Sequence, residues 1–316
     1  MQDKISINFG PDKSQILRGL AIIFMICLHN KTIGEFKICV PIFTFLVGYG
    51  YAFAKERNLK HAFKRSWHLL SHFWLILLGI CLPTAILAGG FHATIADVLP
   101  ELFGLDSQLN WYSWYVYFYI FAMIVMIPFS RLITRFGLVG TGGLILFCFA
   151  GTGLIHLIPN WNDNMWTQAL FDCLLCSPTM LIGYWAAENK IAGEIQVNRS
   201  FASAIILIAL MVLIFFLRGL SYLSYLDFIT VPIFCIAFVA LFNIITWEPS
   251  HRFFIALGKE SMNMWFFHAL FATTCTAAVF APLIDWIHPK ILLIAAMITV
   301  SYLAGKLLTG IYAKLR

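Results

Sequence analysis

Apolar stretches long enough to cross a bilayer recur along almost the whole sequence, with only short polar segments between them. A hydrocarbon core about 30 Å thick takes about 20 helical residues. Windows of that kind fall at approximately 14–33, 38–54, 67–88, 112–130, 138–158, 169–187, 201–217, 226–246, 262–284 and 289–312. In lipid the backbone must satisfy its own polar groups, and helices do so segment by segment. The expected fold class is therefore all-α: a polytopic membrane helical bundle of about ten transmembrane helices. With 61% hydrophobic and 11% charged residues, the chain is excluded from the soluble globular class. The spans use most of the 316 residues, so 1–316 reads as a single integral membrane domain.

Basic residues set the orientation. With the N-terminus inside, only Lys31, Lys37, Arg218 and Lys290 of the 21 lysines and arginines fall in outer segments. The positive-inside rule then places both termini in the cytoplasm. The net charge of +6 is read as this topology signal, and no nucleic-acid partner is implied. The first span lacks the small-residue cleavage pattern of a signal peptide and is expected to be retained. All eight cysteines lie in or beside apolar spans, which suits reduced packing residues better than a disulfide framework.

Within the first span, RGLAIIFMICLH, Arg18 and His29 are separated by ten residues that are nearly all apolar. Eleven helical steps make about three turns, so the two share a face about 16 Å apart along the axis. Ionisable groups are costly against lipid, and this face is expected to turn to the protein interior or a wet cavity. A neutral imidazole can take a proton from a hydroxyl or accept an acyl group. The guanidinium of Arg18 can do neither. It can neutralise a phosphate or carboxylate, or serve as a snorkelling anchor.

Other constellations carry two readings each. The stretch KERNLKHAFKR, with Lys64 and Arg65, is a topogenic cytoplasmic loop or a landing site for a polyanionic ligand. The acidic outer segment from about 89 to 111 is part of an acceptor site or a surface helix. WYSWYVYFY, with Trp111 and Trp114, is an interfacial aromatic belt or a platform for sugar stacking. Ser261 and His268, seven residues apart, share a helix face and line a polar cavity or serve packing; with no acid partner and no nucleophile elbow they make no hydrolase triad. His68 and His72 have metal-ligand spacing without a third ligand, so no metal is expected. Cys173 and Cys176 form a lone CxxC suited to packing. The glycines Gly48 and Gly50 in VPIFTFLVGYGYAF are expected to permit close helix approach, and no P-loop or dinucleotide fingerprint is present.

Taken in order, these segments resemble acyltransferase family 3, the integral membrane acyltransferases that decorate bacterial glycans. Arginine, ten residues and histidine resemble its first span. VPIFTFLVGYGYAF resembles the second, with Val47 where serine is common. FKRSWHLL resembles the basic entry to the third, with Arg65 and His68 where a pair of arginines is usual. NWYSWYVYFYIF and GKESMNMWFFHALF resemble two later segments. The resemblance implies a single integral membrane acyltransferase domain over 1–316 in the bacterial cytoplasmic membrane. It implies transfer of an acetyl or other short acyl group from acetyl-CoA, or a related acyl-CoA, as co-substrate. The acceptor would be a hydroxyl of a surface polysaccharide or its lipid-linked precursor. On this reading His29 is the base or acyl carrier, and Arg18, Lys64 and Arg65 meet the donor's phosphates. Ser261, His268, Trp111 and Trp114 line the cavity. The alternative is a transporter or flippase of a glycan or lipid-linked sugar that does no covalent chemistry; a non-catalytic membrane subunit is a third class. The membrane lipid is a partner in every case, and a homo-oligomer is compatible with the composition.

Overall fold

A computed structural model describes residues 4–30, 34–89, 91, 94–106, 108–110, 113–218, 223–272, 274–284 and 286–315. Helix α1 (Pro11–His29) carries Pro11 in its first turn, where a missing N–H costs nothing. It closes at Asn30, whose Nδ2 donates to the Ile26 carbonyl at 2.7 Å. A 3-10 turn at Gly34–Ile38 leads to α2 (Cys39–Ala52). Helix α3 (Leu59–Ile76) starts at Asn58, whose side chain accepts the His61 N–H at 2.9 Å. It passes through a π-helical turn, Leu77–Cys81, into α4 (Leu82–Leu87), and the π turn sits just ahead of Pro83, which has no N–H for the α ladder. Lys60, Lys64 and Arg65 therefore lie on a helix and not in the loop the sequence suggested. The Asn58 N-cap starts the helix before the apolar period begins.

Helix α5 (Ile95–Glu101) opens with a capping box between Thr94 and Asp97. Next come α6 (Tyr115–His156), α7 (Met165–Glu188), α8 (Ile191–Glu194), α9 (Phe201–Arg218) and α10 (Asp227–Ile244). Helix α11 (Glu248–His268), a 3-10 turn at Ala269–Phe271, α12 (Thr274–Phe280) and α13 (Lys290–Leu315) complete the series. Among the described residues the sheet is one antiparallel ribbon of β1 (Lys4–Ser6) and β2 (Gln196–Asn198), with Ile5 opposite Val197.

The chain is thus an all-α, multi-pass membrane protein. Six described helical stretches are long and apolar enough to cross a membrane, or seven if the bent pair Glu248–Phe271 and Cys275–Leu283 forms one span. Three of the ten sequence windows are absent from that tally for physical reasons. Helix α1 carries Asp12, Lys13 and Arg18 in 19 residues, α2 is only 14 residues long, and α6 joins two helices at Gly137, whose φ of 57° is a left-handed value.

Two compact units divide the chain. The first takes Met1–Lys55, Pro128–Ala150 and Leu174–Lys259. Here α1, α2, α9 and α10 pack on one another, and glycines bring backbones together. A Cβ on Gly19 would lie 2.3 Å from the Phe254 carbonyl oxygen, and one on Gly258 2.0 Å from that of Gln15, so α1 and α11 touch backbone to backbone. Gly48 faces Met180 and Gly183 faces Phe45 in the same way, at 1.8 and 2.3 Å, where α2 crosses α7. Gly50, expected to share that role, meets nothing within 4 Å; two residues further on, it points away from the crossing. Lys13 Nζ donates to the Phe242 carbonyl at 2.6 Å, filling an orphan acceptor in the last turn of α10. Arg218 holds Asp227 through two bonds of 2.7 and 2.8 Å.

The second unit takes Glu56–Ile127, Gly151–Cys173 and Glu260–Arg316. Here α3, the part of α11 from Glu260 onward and α13 are tied by a polar network that runs from buried His72 and Asn263 out to exposed Thr309. His72 Nδ1 lies 3.0 Å from Asn263 Oδ1, and Asn263 Nδ2 donates to the Gly305 carbonyl at 3.3 Å and to Thr309 Oγ1 at 2.9 Å. Thr309 donates to Glu260 at 2.8 Å. A carboxylate and a carbonyl can only accept, so the direction of every bond follows: Asn263 presents oxygen to His72, and His72 carries its proton on Nδ1. The Tyr312 ring lies 3.9 Å from that of His72, tilted by 41°, and its hydroxyl meets Ser71 at 2.6 Å.

Candidate functional site

In the first unit, α1 supplies Arg18 and His29, both half-buried. Ile22 and Met25 lie between them on the same face and are buried. The face that carries the two ionisable groups is therefore packed rather than spread on lipid. His29 is the last residue of α1, one position before the Asn30 cap. It stands where the helix gives way to loop, and Arg18 stands three turns earlier.

In the second unit, α3 presents Lys64 and Arg65 as exposed side chains, with half-buried His68 one turn further along. Helix α11 supplies Ser261, Trp265 and His268. Ser261 is buried and His268 is fully so, its Nδ1 donating to the Met264 carbonyl at 3.1 Å. This bond assigns the lone pair of the neutral ring to Nε2. Trp114, at the start of α6, stands 5.8 Å from Tyr115, which meets Trp265 edge-on at 5.3 Å. The structure thus gathers Trp114, Ser261, Trp265 and His268 into the second unit and leaves Arg18 and His29 in the first. Trp111, with Lys31 of the charge argument, lies outside the described residues.

His72, the second residue of the His68/His72 pair, is bonded through Nδ1 to Asn263, and among the described residues no group of three or more His, Cys, Asp or Glu is placed to hold a metal ion. Two acids that the sequence reading passed over or left general take specific places. Asp172 on α7 accepts a hydrogen bond of 2.6 Å from the Tyr117 hydroxyl. A lone acid inside an apolar span is itself a signal, and it was available in the window 169–187. Glu101, at the end of α5, is 0% exposed. Its Oε1 accepts the N–H groups of Gln108 and Leu109 at 2.6 and 3.0 Å, while Oε2 is buried with no hydrogen-bond partner among the described residues. Burial pushes the Glu101 carboxyl up to about 7; Asp106 nearby acts in the same direction, against the N–H groups of Leu109, Gln108 and Asn110. The loop wound around Glu101 is fastened to α11 by Asn110, whose Nδ2 donates to the Phe266 carbonyl at 3.3 Å.

Fold and site together define a multi-pass helical membrane protein that holds histidine, arginine and carboxyl groups within its packed spans. A family profile described as an acyltransferase domain matches residues 13–306, a stretch that includes every site residue named above. The chain belongs to acyltransferase family 3 and is a membrane acyltransferase. No curated protein and no solved structure matches it.

Proposed function

We propose that the protein is an O-acyltransferase that moves an acetyl or other short acyl group from cytoplasmic acyl-CoA to a hydroxyl of a cell-surface polysaccharide or its lipid-linked precursor. The observation that carries this reading is the packed face of α1, where Arg18 and His29 flank Ile22 and Met25 inside the matched acyltransferase region. In the proposed step His29 takes the proton of the acceptor hydroxyl as its oxygen attacks the thioester carbonyl. The tetrahedral intermediate then collapses, the C–S bond breaks, and the imidazolium returns its proton to the CoA thiolate. In the two-step variant a His29 ring nitrogen attacks the thioester carbonyl, the C–S bond breaks and CoA leaves as its thiol with the proton given up by the imidazole; the acceptor hydroxyl then attacks the acyl-imidazole, the N–C bond breaks and the hydroxyl proton returns to His29. Arg18, Lys64 and Arg65 are assigned to the donor's phosphates, for which guanidinium and ammonium groups are the suited partners. Ser261, His268 and Trp114 are assigned to the substrate cavity. The arrangement proposed around them is one domain over 1–316, ten spans and both termini cytoplasmic, in the bacterial inner membrane.

The test uses purified protein in nanodiscs with radiolabelled acetyl-CoA and no acceptor, comparing wild type with His29→Ala and Arg18→Ala. CoA release with label retained on wild type and absent from His29→Ala supports the acyl-imidazole route. Donor binding without retained label supports direct transfer. If neither acetyl-CoA nor succinyl-CoA binds, the enzyme reading falls. A surface-glycan phenotype kept in cells by His29→Gln, which keeps a hydrogen bond but no usable base, together with no acyl transfer by the purified wild type, would move the assignment to transport.

A further inference from the structure

Two aspartates among the described residues lie within membrane-spanning helices and are partnered in opposite ways. Asp227 is neutralised by Arg218 through a two-bond ion pair, with side chains 13% and 9% exposed. Nothing more is needed to explain it. Asp172 sits about 10 Å into α7, half-buried, and its one hydrogen-bond partner among the described residues is the neutral phenol of Tyr117. No cation pairs with it there. The Tyr117 hydroxyl occupies one lone-pair position on Oδ2, and the carboxyl group has further acceptor positions, Oδ1 included.

A purely structural role accounts poorly for it. An ionisable side chain within a membrane-spanning helix is expensive to place there. A single interhelical hydrogen bond in a membrane returns little. Asn or Ser would tie α6 to α7 at lower cost, so the carboxyl group has another use. Its surroundings indicate which. Trp114, one turn before Tyr117 on α6, has its ring 6.3 Å from that of Tyr117, tilted by 52°. Trp114, Tyr117 and Asp172 are all half-buried, so each keeps some accessible surface. An aromatic face beside a carboxyl group and a phenol is suited to a ligand with a C–H-rich flat side and a rim of hydroxyls, which is the chemistry of a pyranose ring.

We propose that Asp172 and Tyr117, with Trp114 beside them, form a sugar-binding subsite, in which Asp172 accepts a hydrogen bond from a ring hydroxyl and Trp114 covers the apolar side of the ring. This rests on the proposed function in so far as the sugar is the acyl acceptor. The binding itself can be tested separately. Asp172 is a binding residue here, and Tyr117, by donating to Oδ2, is the positioning residue that turns Oδ1 to the ligand.

The probe is a panel of para-nitrophenyl glycosides of neutral and N-acetylated hexoses, at millimolar concentration, with protein in nanodiscs. Saturation-transfer difference NMR reads binding without requiring turnover. Wild type is expected to give transfer to the sugar protons of at least one glycoside. Asp172→Asn should weaken that binding about tenfold or more, as expected when one well-placed bond to a hydroxyl is lost. Trp114→Ala should abolish transfer to the ring C–H protons. Where the glycoside is acylated, its KM should rise in Asp172→Asn while the KM for the donor stays at the wild-type value. No transfer from any glycoside to wild type, or unchanged binding in Asp172→Asn, overturns the subsite. Parallel loss of glycoside binding and of a monodisperse elution profile in both Asp172→Asn and Tyr117→Phe would also overturn it, because the pair would then be holding helices together. Glycoside binding that depends on Asp172 without any acyl transfer would keep the subsite and sink the enzyme reading.

Discussion

In the unit built around α1, helices meet where a side chain has been removed; in the unit built around α3, they meet where polar side chains have been added. Gly19, Gly48, Gly183 and Gly258 let carbonyl oxygens approach to distances that no Cβ could tolerate. His72, Asn263, Thr309 and Glu260 instead form a directed chain of bonds across α3, α11 and α13. Lipid provides no hydrophobic drive for helices to associate, so close van der Waals contact and interhelical hydrogen bonds are the two means left. The first means fails abruptly on a small change. The second degrades in steps, one bond at a time.

Substitutions can break that contrast in order of size. Gly48→Ala should be the most damaging, because its methyl would lie 1.8 Å from a backbone oxygen that cannot rotate aside. A cost of about 3 kcal/mol or more is expected, seen as loss of monodisperse protein or a lowered unfolding temperature in detergent, while Gly50→Ala should be silent. In the other unit, Asn263→Leu strands the His72 N–H and removes one partner of Thr309, for about 1–3 kcal/mol. The same thermal assay should show a folded but weakened protein. Glu101→Gln sharpens the comparison through pH. A carboxyl pKa raised from 4.5 to about 7 means that the folded state holds the proton more tightly than the unfolded one. The stability this supplies is complete below about 4.5 and is lost as pH rises through about 7. Thermal unfolding across that window should therefore fall with pH more steeply in wild type than in Glu101→Gln. Arg252→Ala should have the smallest effect, under about 0.5 kcal/mol, because its bond to Glu248 is solvent-exposed.

The contrast also explains what was legible in the sequence. The α1 face needed only helical periodicity and the cost of charge in lipid, and α1 is helical from Pro11 to His29 as that periodicity required. Gly48 and Gly50 looked equivalent because the partner helix was unknown; about 200° of rotation separates them, and only one faces α7. Gly258 lay in a stretch read for its serine and histidine, and nothing local showed that Gln15 would rest against it. The spacing of His72 to His68 is visible in the sequence and leaves the use of His72 open, whereas its bond to Asn263 joins residues 191 positions apart. The basic stretch has the charge density of a loop, and the Asn58 cap that makes it helical is one polar side chain within it. Spacing along one helix could be read directly, and contacts across helices could not.

The joint in α6 has a consequence of its own. Gly137 turns the chain at a single residue, with Leu138 and Val139 exposed immediately after it and helix on both sides. A protease needs several extended residues in its cleft, and this connection offers none. Limited digestion should spare the 131–143 region even where longer polar connections are cut. The two arms should therefore remain covalently joined in the fragment pattern and migrate as one piece, although each is long enough to look like a separate helix.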